Sequence, residues 1–258
     1  MGVAMGFAVS TWNWAAKLKA GQSYGQMLAA IKDSALGIEF WLATMSPEDV
    51  ETYLHAYAGS FPLVSCHTSL ANQFDEATLK REIVLCNRLG ASVLVVHPCS
   101  LGFAAHTWDA AYTKAVDAIL MERVEEYGEL AKANHVVLAL ENGPVEVLTQ
   151  VMDLVKAKGL QDRLGICIDT GHASMHANED PTYLYALLER FLPHLVQLHV
   201  HDNHGVADDH LVPGTGCIDW QRVFALLNGV DIPIVFELKN QSDPLQSALE
   251  SIRFIERL

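Results

Sequence analysis

Nine residues of this chain could hold divalent metal ions: His67, His97, Glu141, Asp169, His172, His199, Asp208, His210 and Glu237. Imidazole nitrogen combined with carboxylate oxygen suits zinc, manganese and related ions. One ion takes roughly three to six ligands, so the set predicts more than one ion, in two or three sites. Carboxylates can bridge ions and offset clustered positive charge, which neutral imidazoles cannot. An unpaired buried carboxylate is costly, which makes Glu141 and Glu237, each closing an apolar run, the most telling members. Taken singly, His67 or His97 fits a hydrogen-bonded core histidine, Asp169 with His172 an ordinary helix start, and Asp208 with His210 a solvated loop. Taken together, they fall at one expected end of one fold.

Other residues near the set have weaker claims. His201 and His204 fit substrate contacts or outer donors to the ligands, or solvated loop positions. Glu39, in Gly37-Ile38-Glu39-Phe40-Trp41, fits a hydrogen bond to a substrate or to a ligand histidine. Trp12, Trp14 and Trp41 fit a sugar-binding wall or plain core packing. His106, His176 and His194 read as loop or helix histidines. The run Val212-Pro213-Gly214-Thr215-Gly216 is a weak glycine signal for a phosphate cradle.

The elements that must position these groups alternate along the chain. Strands are expected at Met5–Ser10, Leu36–Trp41, Leu63–Thr68, Ser92–Pro98, Val136–Asn142, Leu164–Thr170, Leu195–Asp202 and Ile232–Leu238. Helices are expected at Tyr24–Ser34, Pro47–Ala58, Glu76–Leu89, Trp108–Ala133, Val145–Lys158, Pro181–Phe191, Trp220–Leu227 and Pro244–Leu258. Ser46-Pro47-Glu48-Asp49 and Asp180-Pro181 read as helix starts, and Gly90 and Gly159 as helix stops. The ligands close strands three to eight, with Asp208 and His210 in the loop after strand seven. Within the strands, parity puts Ala139 with Glu141, Gly165 and Cys167 with Asp169, Gln197 with His199, and Val235 with Glu237. A doubly wound open sheet uses the same alternation, but ligands from six successive strands converge on one point only if the sheet closes. The expectation is a single-domain (β/α)8 TIM barrel over residues 1–258, a length close to the ~250 typical of that fold.

Composition sets outer bounds. Half the residues are hydrophobic and 19% are charged, a globular balance. No apolar run reaches the ~18 residues of a membrane span, and the first residues lack the basic flank of a secretory signal. Cys66, Cys86, Cys99, Cys167 and Cys217 show no paired spacing, which suggests reduced thiols and a cytoplasmic protein. The formal charge of −14 argues against a broad nucleic-acid-binding face.

Asp169-Thr170-Gly171-His172, His199-Val200-His201-Asp202, and Asp208-Asp209-His210 followed by Gly214-Thr215-Gly216 resemble the xylose isomerase-like TIM-barrel superfamily. That superfamily joins sugar isomerases and epimerases to endonuclease IV-like abasic-site endonucleases. By resemblance to the endonuclease branch, His67, His97 and Glu141 hold one metal. Glu141 is then shared with a second, completed by Asp169, His199 and Glu237, and His172, Asp208 and His210 hold a third for multi-metal phosphodiester hydrolysis. By resemblance to the epimerase branch, Glu141, Asp169, His199 and Glu237 hold a single ion. Glu141 and Glu237 then exchange a proton with substrate carbon from opposite faces, and His172 orients the substrate. All nine residues being present favours several metals. DNA repair fits less well: few basic residues stand near the expected active face, and the loop His67-Thr68-Ser69-Leu70-Ala71-Asn72 has leucine and alanine where that branch carries its aromatic wedge. A small carbohydrate-like substrate, isomerised or epimerised, is the first expectation. Phosphodiester hydrolysis is the second, and a metal-stabilised barrel that binds without catalysis is the third.

Overall fold

The computed structural model describes residues 6–70, 74–101, 110–142, 145–175, 180–239 and 241–258. Met5, Ala71, Asn72, His106, Trp108 and His176, which figure in the expectations above, lie outside them. Eight parallel strands pair in sequence order and the eighth returns to the first, closing the barrel. They are β1 (Phe7–Ser10), β2 (Gly37–Trp41), β3 (Val64–His67), β4 (Val93–Val96), β5 (Val137–Glu141), β6 (Leu164–Asp169), β7 (Leu195–Val200) and β8 (Ile234–Phe236). Around them run α1 (Ala15–Lys19), α2 (Tyr24–Asp33), α3 (Pro47–Ala56), α4 (Glu76–Leu89), α5 (Ala110–Ala133), α6 (Val145–Lys158), α7 (Thr170–Ser174), α8 (Tyr183–Phe191), α9 (Trp220–Leu226) and α10 (Pro244–Ile255). Each expected strand is present, trimmed at its ends. The 3-10 turn Thr11–Trp14 and the short helices α1 and α7 were not expected, because neither short helix is long enough to show a helical period.

Strand parity sorts the side chains into two apolar layers. Val9, Ile38, Phe40, Leu94, Leu138, Ile166, Ile168, Leu198 and Phe236 face outward into the core shared with the helices. Inside the barrel, Val93, Val95, Ala139 and Cys167 form a separate small cluster with Val196 against it. One strand breaks the alternation. Ile166 pairs with Leu195 but Cys167 pairs with Gln197, so Val196 is an extra, bulged residue. Gly165 makes room for it, since a Cβ there would strike the Val196 methyls and the His194 carbonyl. The bulge lets Val196 and Gln197 both face inward, and it sets the parity that aims His199 at the axis.

Local chemistry fixes the rim. Ser46 and Asp49 form a reciprocal capping box with Pro47 in the first turn of α3. Gly90 takes a left-handed φ of 75° after α4. Two asparagines tie neighbouring strand ends together. Asn13 donates to the Phe236 carbonyl and accepts from the Leu238 amide, which closes the β8–β1 seam. Asn142 donates to the Asp169 carbonyl and accepts from the Asp169 amide, both at 2.9 Å. Polar side chains thereby satisfy backbone groups where the sheet ends.

Candidate metal centre

Above the inner apolar cluster the barrel axis turns polar. Glu39, Glu141, Asp169 and Glu237 bring four carboxylates into the interior with His67 and His199, all of them buried. Among the described residues no Lys or Arg is buried with them. Histidine protons or bound cations must therefore offset this charge.

Glu141 stands at the centre. Its Oε2 faces His67 Nε2 at 3.0 Å and His97 Nε2 at 3.7 Å, while Oε1 faces His172 Nδ1 at 3.4 Å and His199 Nδ1 at 3.8 Å. Burial alone would raise this carboxyl, but His97, His172, His199 and His67 outweigh it and hold Glu141 well below the ordinary carboxylate range. Glu237 goes the other way. Burial raises it, with Glu39 and Glu141 adding to the rise against His199 and His67. His67 is depressed by burial yet raised to about 9 by Glu141 and the more distant Glu237 and Glu39. His172 is pushed up to about 12, chiefly by Asp169.

Three of the five candidate histidines have one ring nitrogen occupied by a hydrogen bond on the side away from the centre. His67 Nδ1 donates to the Thr68 carbonyl at 3.0 Å, His210 Nδ1 to the Glu237 carbonyl at 2.9 Å, and His199 Nε2 to Glu39 Oε2 at 3.2 Å. Each bond fixes the ring with its other nitrogen toward the centre, the orientation a metal-binding histidine uses. Glu39 also accepts from Ser65 Oγ and Gln197 Nε2.

Unsatisfied atoms test whether metal fits. His199 Nδ1 and Asp169 Oδ2 are buried without a hydrogen-bond partner. His199 Nδ1 lies 3.8 Å from Glu141 Oε1, 3.9 Å from Asp169 Oδ2 and 3.8 Å from Glu237 Oε2. Ligand atoms bound to one zinc at ~2.0–2.2 Å sit roughly 3–3.6 Å apart, so this slightly wider gap accepts an ion with small side-chain movements. Such orphaned atoms are expensive in a dry site, and a divalent cation satisfies them all.

A further cluster lies at the rim. His172 Nε2 is 3.3 Å from Asp208 Oδ1, and His210 Nε2 is 3.0 Å from the same oxygen. Burial would raise the half-exposed Asp208 carboxyl, but His172 and His210 pull it far down. Asp208 Oδ1 otherwise lacks a hydrogen-bond partner. Asp209 points elsewhere and accepts from the His204 amide. The structure thus groups all nine expected residues into one continuous cluster around Glu141, Asp169 and His172.

The residues expected against a substrate divide differently. Trp14 is core, 3% exposed. Trp12 and Trp41 remain at the rim, edge to face at 6.4 Å, with Trp12 4.5 Å from the His210 ring. Glu39 and His201 are completely buried and present no surface to a substrate. Glu39 orients His199, and His201 stacks under His210 at 3.7 Å. His201 Nε2 is also 2.9 Å from Asp169 Oδ1, off the hydrogen-bonding direction. Gly171 explains its own place in the Asp-Thr-Gly-His run, because a Cβ there would run into the His201 imidazole. His204 is exposed and lines a small cavity of about 240 Å³ with Tyr185 and Cys217. The glycine run 214–216 cradles an anion, but an internal one: Gly214 and Gly216 donate to Asp202.

Three supporting residues had no expected role: Gln197, Asp202 and Glu82. Glu82 on α4 is buried and accepts from Thr68 Oγ1 at 2.6 Å, the Ser69 amide at 2.9 Å and Ser69 Oγ. Its signal in the sequence is a carboxylate on the apolar face of α4, between Leu79, Ile83 and Cys86.

Known structures share this architecture. A D-tagatose 3-epimerase-like protein superimposes with a TM-score of 0.70 at 22% identity, covering 98% of this chain and 99% of that one. A D-psicose 3-epimerase of Clostridium cellulolyticum, solved with D-tagatose, gives 0.69 at 14% identity over 98% and 99%. A Thermus thermophilus protein soaked with zinc chloride gives 0.66 at 21% identity over 97% and 98%. At these identities the likeness is one of fold. By sequence, an uncharacterized protein of Methanocaldococcus jannaschii is 29% identical over 170 residues, 62% of this chain and 55% of that protein. A second from that organism is 25% identical over 177 residues, 66% and 64%. The matched stretches thus span between about half and two thirds of these relatives' length. The sequence profile of the xylose isomerase-like TIM barrel matches residues 22–258, and with the closed barrel in place, the chain belongs to that family.

Proposed function

We propose that this chain is a divalent-metal-dependent isomerase or epimerase of a small carbohydrate or related polyol. One observation carries the reading. Glu141 and Glu237, from strands three apart on the ring, each bring a carboxylate oxygen to 3.8 Å from His199 Nδ1, and their surroundings drive their protonation in opposite directions. Paired carboxyls with opposed proton preferences are what a proton transfer across two faces of a carbon uses. A zinc or manganese ion held by Glu141, Asp169, His199 and Glu237 would polarise the carbonyl next to that carbon. Glu141 would take a proton from that carbon, and Glu237 would return one from the other face. His172 steers the substrate from the rim, and Trp12 and Trp41 offer an apolar wall to a sugar face. Buried thiols at Cys66, Cys86 and Cys167 agree with a cytoplasmic setting. Among the described residues no helix is long and apolar enough to cross a membrane.

The rim cluster favours a second reading, phosphodiester hydrolysis over several metals, because proton transfer at carbon has no need of His172, Asp208 and His210 as a separate ligand set. Against duplex binding stands Leu70, which is buried at 3% rather than presented as a wedge.

The test is a parallel assay of metal-reconstituted protein on ketoses and aldoses in deuterated water and on a duplex with an abasic site. Solvent deuterium at a sugar carbon, lost in Glu237→Gln, is the expected result. Metal-dependent strand incision without exchange would move the assignment to the hydrolase. Neither activity, with metal and sugar still bound, would leave a binding barrel.

A further inference from the structure

Asp202 lies two residues beyond the strand that carries His199, and its carboxylate turns to the loop rather than to the centre. It is completely buried. Its Oδ1 accepts from the amides of Asn203 at 3.0 Å and Ile218 at 3.2 Å. Its Oδ2 accepts from the amides of Gly214 at 2.9 Å and Gly216 at 3.0 Å and from the Trp220 indole at 2.9 Å. Five donors thus converge on one buried carboxylate. The donors span both ends of the loop between β7 and α9, and Asp208 and His210 hang from that loop.

The backbone of Asp202 completes the device. Asp202 and Leu211 exchange both amide-to-carbonyl hydrogen bonds at 2.8 Å, an isolated antiparallel bridge that fixes the residue next to His210. His210 itself is held at φ 49°, a left-handed conformation that strains a non-glycine residue. Such strain persists only where neighbours impose it. Gly216 is obligatory for the same reason, because a Cβ there would collide with the Asp202 carboxylate and the Asn203 carbonyl.

We infer that Asp202 is the positioning residue for the rim metal pocket: its buried carboxylate folds the 203–218 loop so that Asp208 and His210 meet His172. This rests on the reading that the rim cluster binds metal. It does not extend to the inner pocket. His67 and Glu141 stand on their own strands, and Glu237, although its carbonyl meets His210, is also tied by its amide to the Val200 carbonyl, so these ligands stay in place when the loop is released.

Asp202→Asn separates the possibilities, because one carboxylate oxygen becomes a donor facing donors. Cobalt(II) is titrated into the full chain and followed by visible absorption, while amide hydrogen exchange is read at Gly214, Gly216 and Ile218. The expected result is loss of the rim site's absorption, with affinity there weakened about 10–100-fold, inner-site affinity unchanged and fast exchange at the three amides. Trp220→Phe, which removes a single donor, should weaken the rim site only a few-fold, and guards against an Asp202→Asn chain that does not fold. Equal weakening of both sites in a folded variant, or an unchanged rim site with exposed amides, would overturn the inference. If His210→Ala leaves the cobalt spectrum and stoichiometry of the otherwise native protein unaltered, the metal reading of the rim fails instead.

Discussion

At the scale of single residues, what separates this centre from a set of buried polar groups is the occupation of the histidines' far nitrogens. Glu39 shows the principle. Buried beside His199 Nε2 at 3.2 Å, it fixes the ring so that Nδ1 faces Glu141, Asp169 and Glu237. Glu39→Gln should therefore weaken metal binding at the inner pocket about 10–100-fold without touching a ligand, as read by competition with a chromophoric chelator. A change below about threefold would mean that packing alone orients His199. Gly171 makes the complementary point in steric terms. Gly171→Ala drives a methyl into the His201 ring, and overpacking of this kind costs about 1–3 kcal/mol. For a chain of this size that is a fall of roughly 2–12 °C in melting temperature, measured by calorimetry. An unchanged melt would show that the His201–His210 stack can shift as a unit.

At the scale of elements, the strands carry ligands to the rim while helices and loops decide their last ångström. Glu82 reaches from α4 to the loop after β3, and the Thr68 carbonyl in that loop receives the His67 Nδ1 proton. Glu82→Gln removes the charge from bonds to Thr68 and Ser69 and leaves one buried donor badly placed. The expected cost is about 1–3 kcal/mol in urea unfolding, with faster amide exchange at Ser69 and Leu70 and a weaker His67 site. Stability loss without faster exchange in that loop would assign Glu82 to general core support. The β6–β7 bulge works at the same scale. By placing Val196 and Gln197 on one face it brings Gln197 within 2.5 Å of Glu39.

At the scale of the whole molecule, closing the sheet concentrates carboxylates that the extended chain keeps apart. Their repulsion is a standing cost to the folded state unless cations occupy the centre, so metal removal should destabilise the protein. Binding to the folded state alone contributes about 4 kcal/mol when free metal is a thousandfold above its Kd. Exhaustive chelation should therefore lower the melting temperature by roughly 8–16 °C, restored by zinc or manganese and not by magnesium. A melt indifferent to chelation would mean that histidine protons offset the charge unaided. Much of this plan was legible beforehand. Strand parity in Gly165–Asp169 and Val235–Glu237 announced which side chains face the axis, and ligand types at successive strand ends required closure. Periodicity and residue chemistry are local, and they were enough to give the order of elements and the closed barrel and to single out nine candidate ligands. Packing in three dimensions then sorted the candidates into buried and rim positions. It buried Trp14, Glu39 and His201, turned His204 outward, and gave Glu82, Gln197 and Asp202 their partners. Those outcomes depend on contacts between residues far apart in the chain, such as Glu39 with Gln197 or Asn13 with Leu238, and no local pattern records which distant group a side chain will meet.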